Sequence, residues 1–186
     1  GRIVFSLLEE VDNVEVVAIN DLTSAKELAY LLKYDSVHRK NNYVISYDED
    51  YLLINNKKVK VFKELDPAML PWKELEVDVV LECTGFFTSK EKASAHIEEG
   101  AKKVVISAPA GNDLPTVVYG VNEDIITSND NVISGASCTT NCLAPMANTL
   151  NKFAPIESGI MTTVHAYTGD QMILDGPHRK GDLRRA

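Results

Sequence analysis

The chain has 186 residues, of which 45% are hydrophobic and 25% are charged, and this composition is typical of a compact globular protein rather than a disordered one. The formal net charge of −8 argues against a protein that binds nucleic-acid backbones or anionic membrane surfaces. The sequence contains neither an apolar run of about 18 residues nor a signal peptide, so it predicts a cytoplasmic protein without a membrane span.

Short β-rich runs alternate with amphipathic stretches, which predicts βαβ units and a mostly parallel sheet. The elements predicted first in chain order are a helix over 3–10, a strand over 14–19, a helix capped by Thr23 or Ser24 with Leu28, Leu31 and Leu32 on its apolar face, strands over 43–45, 51–54 and 59–62, and a turn at Asn55-Asn56. Those that follow are a strand over 77–82, a helix between the capping box Thr88-Ser89-Lys90-Glu91 and Gly100, strands over 104–107, 117–119 and 132–134, a helix over 139–153 and a strand over 160–165.

Cys138 is the strongest chemical signal, because it lies where the 139–153 helix is expected to begin. The dipole and the unpaired N–H groups of a helix N-terminus stabilise a thiolate, which is the nucleophilic form of cysteine. Cys142 follows one helical turn later and is expected to pack in the interior. The polar neighbours that favour an anionic site at Cys138 are Ser137, Thr139, Thr140 and Asn141.

The cysteines predict neither disulfides nor a metal site. Three cysteines are too few and of the wrong parity for a disulfide framework. The spacing of Cys138 and Cys142 is not the usual zinc spacing, and Cys83 lies at the end of a different strand. Free thiols with chemistry of their own are therefore the favoured interpretation.

His165 is the predicted base for Cys138. It ends the apolar run 160–165, and catalytic side chains of α/β sheets gather at strand ends. The other histidines are expected to lie on the surface; they are His38 in a loop, His96 on a helix and His178 beside Arg179 and Lys180.

Two further strand ends indicate a nucleotide site. Asp21 directly follows the strand predicted to begin at Val14, and a carboxylate there can bond both ribose hydroxyls of an adenosine and repel a 2′-phosphate. An ordinary helix-entry aspartate is the alternative interpretation of this residue. After the strand that ends at Glu82, Thr84-Gly85 would let the backbone approach a ligand, while Phe86 or Phe87 could flank a flat ring or belong to the core.

The segment Ala136-Ser137-Cys138-Thr139-Thr140-Asn141-Cys142-Leu143-Ala144-Pro145 resembles the active-site signature of the phosphorylating glyceraldehyde-3-phosphate dehydrogenase family. The number of such motifs and their order along the whole chain make the resemblance specific. The others are Ile19-Asn20-Asp21-Leu22, Leu31-Leu32-Lys33-Tyr34-Asp35-Ser36, Leu70-Pro71-Trp72, Glu82-Cys83-Thr84-Gly85-Phe86-Phe87-Thr88, Val105-Ile106-Ser107-Ala108-Pro109, His165-Ala166-Tyr167-Thr168-Gly169-Asp170-Gln171 and Asp182-Leu183-Arg184-Arg185-Ala186.

The resemblance implies that Cys138 attacks the aldehyde carbon of D-glyceraldehyde 3-phosphate and that His165 takes the hydroxyl proton as hydride passes to NAD. Inorganic phosphate then attacks the thioester and releases 1,3-bisphosphoglycerate. The implied substrate-binding residues are Ser137, Cys138, Thr139, Thr168 and Arg185, of which the last two hold the substrate phosphate. The implied cofactor-binding residues are Gly1, Arg2, Ile3, Asn20, Asp21, Leu65, Thr84, Gly85, Phe87 and Ser107.

The resemblance further implies a glycolytic homotetramer with an α/β fold. A Rossmann-type doubly wound sheet is expected over residues 1–135 and the start of an α+β catalytic domain over 136–186. Both ends look cut, because Gly1 would be the third glycine of a G-x-G-x-x-G fingerprint whose first strand is missing. The chain alone is therefore expected to be inactive. Leu65 stands where the family often has arginine, a departure that bears on the affinity for NAD more than on its identity.

Other functions stay open. Erythrose-4-phosphate dehydrogenase shares the cysteine chemistry, although the stretch His165-Ala166-Tyr167-Thr168-Gly169-Asp170-Gln171 favours the triose enzyme. An inactive fragment acting as a nucleotide- or protein-binding module is a second alternative. A cofactor-free Cys–His hydrolase is a third, and Asp21 argues against it.

Overall fold

The computed structural model describes residues 1–171 and 175–177, which divide into two compact units. The N-terminal unit comprises Arg2–Asp66 with the described residues from His165 onward, and the central unit comprises Gly1 with Pro67–Val164. Both units combine helices with parallel strand pairs, so the predicted α/β fold class is confirmed. In the described part of the chain, no helix is long and apolar enough to cross a membrane.

The N-terminal unit is built around a mixed sheet. Its elements are α1 (Arg2–Leu8), β1 (Ala18–Asn20), α2 (Ala25–Lys33), β2 (Tyr34–Asp35), β3 (Arg39–Lys40), β4 (Ile45–Asp48), β5 (Tyr51–Ile54) and β6 (Lys57–Phe62). The main sheet has the order β1-β6-β5-β4, in which only the β1–β6 pair is parallel, and β2 and β3 form a separate antiparallel pair.

Helix α2 shows how local signals and burial combine in this unit. The Ser24 hydroxyl caps the helix by accepting a hydrogen bond from Glu27 N at 3.3 Å, as predicted. Leu31 and Leu32 are buried and Leu28 is half-buried, so the predicted apolar face points into the unit. Burial of a leucine of this kind contributes about 1.5–3 kcal/mol to stability relative to exposure. Buried side chains that share the core include Leu52, Ile54, Val59 and Val61.

The β5–β6 hairpin turns at Asn55-Asn56, as the sequence predicts. Both asparagines have positive φ, 48° and 72°, which matches the right-handed twist of the flanking strands. The left-handed region disfavours β-branched side chains, whereas glycine enters it without a steric penalty.

We therefore expect Asn56→Val to lower the free energy of unfolding by about 1–2 kcal/mol, because valine must adopt the strained conformation. Asn56→Gly is the matched control and should unfold at the same urea concentration as the unaltered protein, or at a higher one. Equal unfolding midpoints for the valine and glycine variants would contradict the backbone assignment.

The central unit contains a three-stranded parallel sheet with the order β7-β8-β9. Its regular elements are a 3₁₀ turn (Pro67–Met69), β7 (Val79–Glu82), α3 (Lys90–Glu98), β8 (Lys103–Ile106), a second 3₁₀ turn (Glu123–Ile125), β9 (Val132–Ser134) and α4 (Cys138–Phe153). Glu82 pairs in register with Ile106, and Ile106 with Ser134, so the carboxyl ends of the three strands are level. The core of this unit includes Val104 and Ile106, which are fully buried.

Several predicted elements differ from the structure because a strand needs a hydrogen-bonded neighbour as well as a suitable sequence. The first strand forms only from Ala18, where Lys60 of β6 becomes its partner. Residues 117–119 form no strand, and only Thr116 bridges to β9. The predicted strand 160–165 is wrong, since these described residues are exposed and have no regular structure. Helix α3 starts one residue later than predicted, with Ser89 as its cap.

Candidate functional site

Three loops leave the level carboxyl ends of β7, β8 and β9, which is the edge where open α/β sheets bind ligands. Backbone hydrogen bonds hold these loops to neighbouring strands. Ser107 N donates to Glu82 O at 2.9 Å, and Gly135 N donates to Ile106 O at 2.9 Å. This edge therefore carries the predicted residues Thr84, Gly85, Ser107, Ser137, Cys138 and Thr139.

Cys138 is the first residue of α4, and its side chain is exposed. The Ser137 hydroxyl caps the helix by accepting a hydrogen bond from Thr140 N at 3.0 Å. The Asn141 side-chain amide donates to Gly135 O at 2.7 Å and to Ser137 O at 2.9 Å, which ties the helix to the preceding loop. The predicted placement of Cys138 at a helix N-terminus is confirmed, and the helix dipole there favours its thiolate.

The loop before Cys138 has a strained backbone that sequence reasoning missed. Ala136 is buried and has a φ of 63°, a region that costs a non-glycine residue of order 1–3 kcal/mol. Ala136 N donates to the Ser134 hydroxyl at 3.1 Å, and that hydroxyl donates to Ala108 O at 2.7 Å. These bonds hold the conformation that leads into Ser137.

The prediction that Cys142 packs in the interior is wrong. Its side chain is exposed, and α4 contains no buried residue in the described structure. Helical spacing places Cys142 one turn beyond Cys138, but burial requires a neighbouring element on that face as well. None of the three cysteines forms a disulfide.

His165 lies in the N-terminal unit, whereas Cys138 lies in the central unit. Its side chain is exposed, and Nδ1 donates to the carbonyl oxygen of Ala166 at 2.6 Å. Its pairing with Cys138 stays a prediction. Thr168 is exposed, and its backbone N–H donates to Gln171 Oε1 at 2.9 Å. Arg185 and His178 lie outside the described residues.

The N-terminal unit carries the predicted ribose-binding residue. Asp21 directly follows β1, and its Oδ1 accepts a hydrogen bond from Thr23 N at 2.8 Å, while its Oδ2 has no hydrogen-bond partner among the described residues. The Asn20 side-chain amide donates a hydrogen bond to Glu64 O and accepts one from Glu64 N, each at 2.9 Å. Leu65 is 76% exposed.

Of the two predicted cofactor-binding residues at the start of α1, Arg2 is ion-paired and Ile3 is exposed. The Arg2 guanidinium lies 2.9 Å from the Asp35 carboxylate and 3.3 Å from that of Asp175, so its charge is paired within the unit. Ile3 is 49% exposed on α1. In the central unit Gly1 lies beside Cys83: a Cβ added to Gly1 would be 3.7 Å from the Cβ of Cys83.

The predicted surface position is confirmed for His38 and is wrong for His96. His38 is exposed and lies 3.2 Å from Asp35. His96 is only 4% exposed, and its Nδ1 accepts a hydrogen bond from the Trp72 indole at 2.9 Å. Its Nε2 lies 3.2 Å from Glu82 Oε2. The polar residues around it in sequence suggested a surface helix, and its partners come from distant elements.

Glu82, the last residue of β7, is also 4% exposed. Its Oε1 accepts a hydrogen bond from Thr84 N at 2.7 Å. Burial by itself would raise the pKa of Glu82, but the hydrogen bonds from His96 and Thr84 outweigh it, so the pKa lies below the ordinary glutamate value. The carboxylate is thus kept ionised inside the fold. Among the described residues, no three His, Cys, Asp or Glu side chains are grouped as metal ligands.

Comparison with known proteins identifies similar sequences along the whole chain. Residues 1–90 match the family model described as "Glyceraldehyde 3-phosphate dehydrogenase, NAD binding domain", and residues 137–186 match the model described as "Glyceraldehyde 3-phosphate dehydrogenase, C-terminal domain". Curated proteins named glyceraldehyde-3-phosphate dehydrogenase are 63% identical in Clostridium pasteurianum, 62% in Clostridium acetobutylicum and 54% in Lactobacillus delbrueckii subsp. bulgaricus. Each alignment covers 100% of the chain and 56% of the relative's length.

Proposed function

Because the chain belongs to the glyceraldehyde 3-phosphate dehydrogenase family, we propose that the full-length protein oxidises D-glyceraldehyde 3-phosphate to 1,3-bisphosphoglycerate with NAD and inorganic phosphate, as a glycolytic enzyme. The observation that carries the proposal is the exposed Cys138 at the first residue of α4, beside the carboxyl edge of a parallel sheet. The names of the relatives favour the triose enzyme over erythrose-4-phosphate dehydrogenase.

We divide the chain functionally at residue 136. Residues 1–135 form the proposed NAD-binding domain, and 136–186 begin the proposed catalytic domain. The two family matches, to 1–90 and 137–186, support this division.

The chemistry of the described residues fits NAD. The residues assigned to it are Gly1, Arg2, Ile3, Asn20, Asp21, Leu65, Thr84, Gly85, Phe87 and Ser107. The Asp21 carboxylate supplies the acceptors that two ribose hydroxyls need. Gly85 has a φ of 77°, and a Cβ added to it would meet nothing within 4 Å, so a ligand can approach the backbone there. When bound, NAD supplies the acceptor for the hydride that leaves the substrate carbon.

Cys138 and His165 are assigned the covalent chemistry. The Cys138 thiolate adds to the aldehyde carbon while the protonated His165 imidazole gives its proton to the carbonyl oxygen, and the neutral imidazole then takes that proton back from the hydroxyl. Loss of hydride converts the adduct into a thioester on Sγ. A phosphate oxygen then attacks the thioester carbonyl, and the thiolate leaves as the acyl phosphate forms. Ser137 and Thr139 line the substrate position, while Thr168 and Arg185 bind the substrate phosphate.

We further propose that the protein is a cytoplasmic homotetramer. Family membership supports this assembly. Light scattering on the full-length protein tests it, and a monomer or dimer in the presence of NAD would contradict it.

The activity is tested by following NADH absorbance with the full-length protein, D-glyceraldehyde 3-phosphate, NAD and phosphate. We expect turnover that depends on all three reactants. A matched reaction with erythrose 4-phosphate should be slower in kcat/KM. Efficient turnover of the tetrose alone, or hydrolysis without NAD, would contradict the proposal.

Asp21 is expected to select NAD over NADP. Replacing it with alanine should lower kcat/KM for NAD about 10- to 100-fold, because a charge-assisted hydrogen bond is worth about 1.5–3 kcal/mol. The same change should improve the relative efficiency with NADP, since the repulsion of a 2′-phosphate is removed. Asp12→Ala, at an exposed acidic position of the same unit, is the control and should change neither value. Equal efficiencies with NAD and NADP in the unaltered protein would overturn this assignment.

A further inference from the structure

A chain of buried polar groups lies behind the Thr84-Gly85 loop in the central unit. Trp72, Glu82 and His96 are each no more than 5% exposed. The indole of Trp72 donates to His96 Nδ1 at 2.9 Å, and His96 Nε2 lies 3.2 Å from Glu82 Oε2. The other oxygen of Glu82 accepts from Thr84 N at 2.7 Å. This series of hydrogen-bonded groups thus ends at Thr84 N, on the backbone of the loop.

The donors and acceptors along this chain permit only one arrangement. An indole N–H can only donate, so Nδ1 of His96 must accept, and the proton of a neutral imidazole then lies on Nε2. That proton needs an acceptor at residue 82, and Thr84 N needs a second one. A carboxylate offers two acceptor oxygens, whereas the amide of glutamine offers one. A carboxylate at residue 82 therefore gives each of the two donors its own acceptor oxygen.

The same chain holds the loop at its other side. The Phe87 ring packs edge-on against the His96 imidazole, with 6.3 Å between ring centroids. Between these two attachments, the Thr84 hydroxyl accepts a hydrogen bond from Phe86 N at 3.1 Å, and Gly85 has a φ of 77°. The loop conformation is therefore set by Glu82 at its start and by His96 at its end.

Stability alone does not explain a buried ionised carboxylate. Taking a carboxylate out of water carries a large desolvation cost, and a neutral imidazole beside it does not offset that cost as a cation would. The bond from Thr84 N to Glu82 Oε1, at 2.7 Å, points instead to the geometry of the loop.

We propose that Glu82 is a positioning residue for NAD binding, which holds the Thr84-Gly85 backbone in its ligand-ready conformation, and that Trp72 and His96 orient its carboxylate. The proposal rests on the proposed function only in naming NAD as the ligand of this loop.

The central test is Glu82→Gln in the full-length protein. We expect the Kd for NAD to rise about tenfold, equal to about 1.4 kcal/mol, while kcat at saturating NAD changes less than twofold. Deuterium uptake by a peptide spanning 83–87 should increase, because the single amide oxygen cannot keep both the bond from His96 Nε2 and the bond from Thr84 N.

Two further substitutions separate positioning from folding. His96→Gln keeps one donor and one acceptor, so it should retain the Kd and the uptake of the unaltered protein, whereas His96→Leu should behave like Glu82→Gln. Val104→Ala removes fully buried volume from β8 and serves as the stability control. It should lower the thermal midpoint without changing NAD binding or the uptake of the loop.

An unchanged Kd and an unchanged loop uptake in Glu82→Gln would overturn the inference. Should that variant fail to fold, equal Kd values for His96→Gln and His96→Leu would overturn it instead. If the unaltered protein binds no NAD, the proposed function fails, and the deuterium uptake of the loop still tests the hold of Glu82 on Thr84.

Discussion

Replacing Cys138 with alanine in the full-length protein is expected to lower kcat/KM for D-glyceraldehyde 3-phosphate by about 10⁴-fold or more. The proposed reaction passes through a covalent bond to this sulfur, which the methyl group of alanine cannot form. NADH absorbance measures the loss. The Kd for NAD should be unchanged, because the thiol is assigned to the substrate and not to the cofactor.

Cys142→Ala is the matched control for Cys138→Ala. Both thiols are exposed on α4, so accessibility by itself does not distinguish them. The helix dipole acts within the first turn, which favours the thiolate at the first residue of the helix. Iodoacetamide should therefore label Cys138 first and abolish activity in proportion. Faster labelling of Cys142, or substantial activity in Cys138→Ala, would show that the chemistry is assigned to the wrong thiol.

His165→Asn is expected to lower kcat by about 10²- to 10⁴-fold, because general base catalysis typically contributes that much. Asparagine keeps a polar side chain but cannot take a proton from the hydroxyl of the adduct. Initial rates of NADH formation measure the change, and iodoacetamide labelling of Cys138 should slow in parallel. NAD binding should persist.

His38→Asn is the control for this variant. His38 is an exposed histidine of the same unit, and its imidazole lies 3.2 Å from Asp35. It should retain the full rate. A rate for His165→Asn that equals the rate of His38→Asn would remove His165 from the mechanism.

The features that the sequence determined are those encoded by neighbouring residues. Ser24 and Ser137 cap helices by bonding to backbone N–H groups three residues away. The two asparagines of the hairpin adopt positive φ because their own side chains tolerate it. Cys138 could be placed at a helix start for the same local reason. The level strand ends then follow from the parallel pairing that βαβ alternation predicts.

The predictions that were wrong concern features that depend on partners distant in sequence. Apolar alternation alone predicted a strand at 160–165, but β-structure also needs a paired neighbour. Helical spacing indicated an inward position for Cys142, but the exposure of a helix face depends on what packs against it.

For His96 the prediction was wrong in the opposite sense, since exposure was expected and burial is found. The charged residues beside it predicted a solvated helix face, yet the side chain is buried. Its partners Trp72 and Glu82 lie 24 and 14 residues earlier in the chain.

The sequence by itself determined the fold class, the caps, the hairpin and the position of the thiol, because each depends on short-range hydrogen bonds or on periodicity. Only the tertiary structure decided which polar side chains are buried, because burial and hydrogen-bond pairing arise when α3 packs beside β8 and the 3₁₀ turn Pro67–Met69, which brings His96 to Glu82 and Trp72.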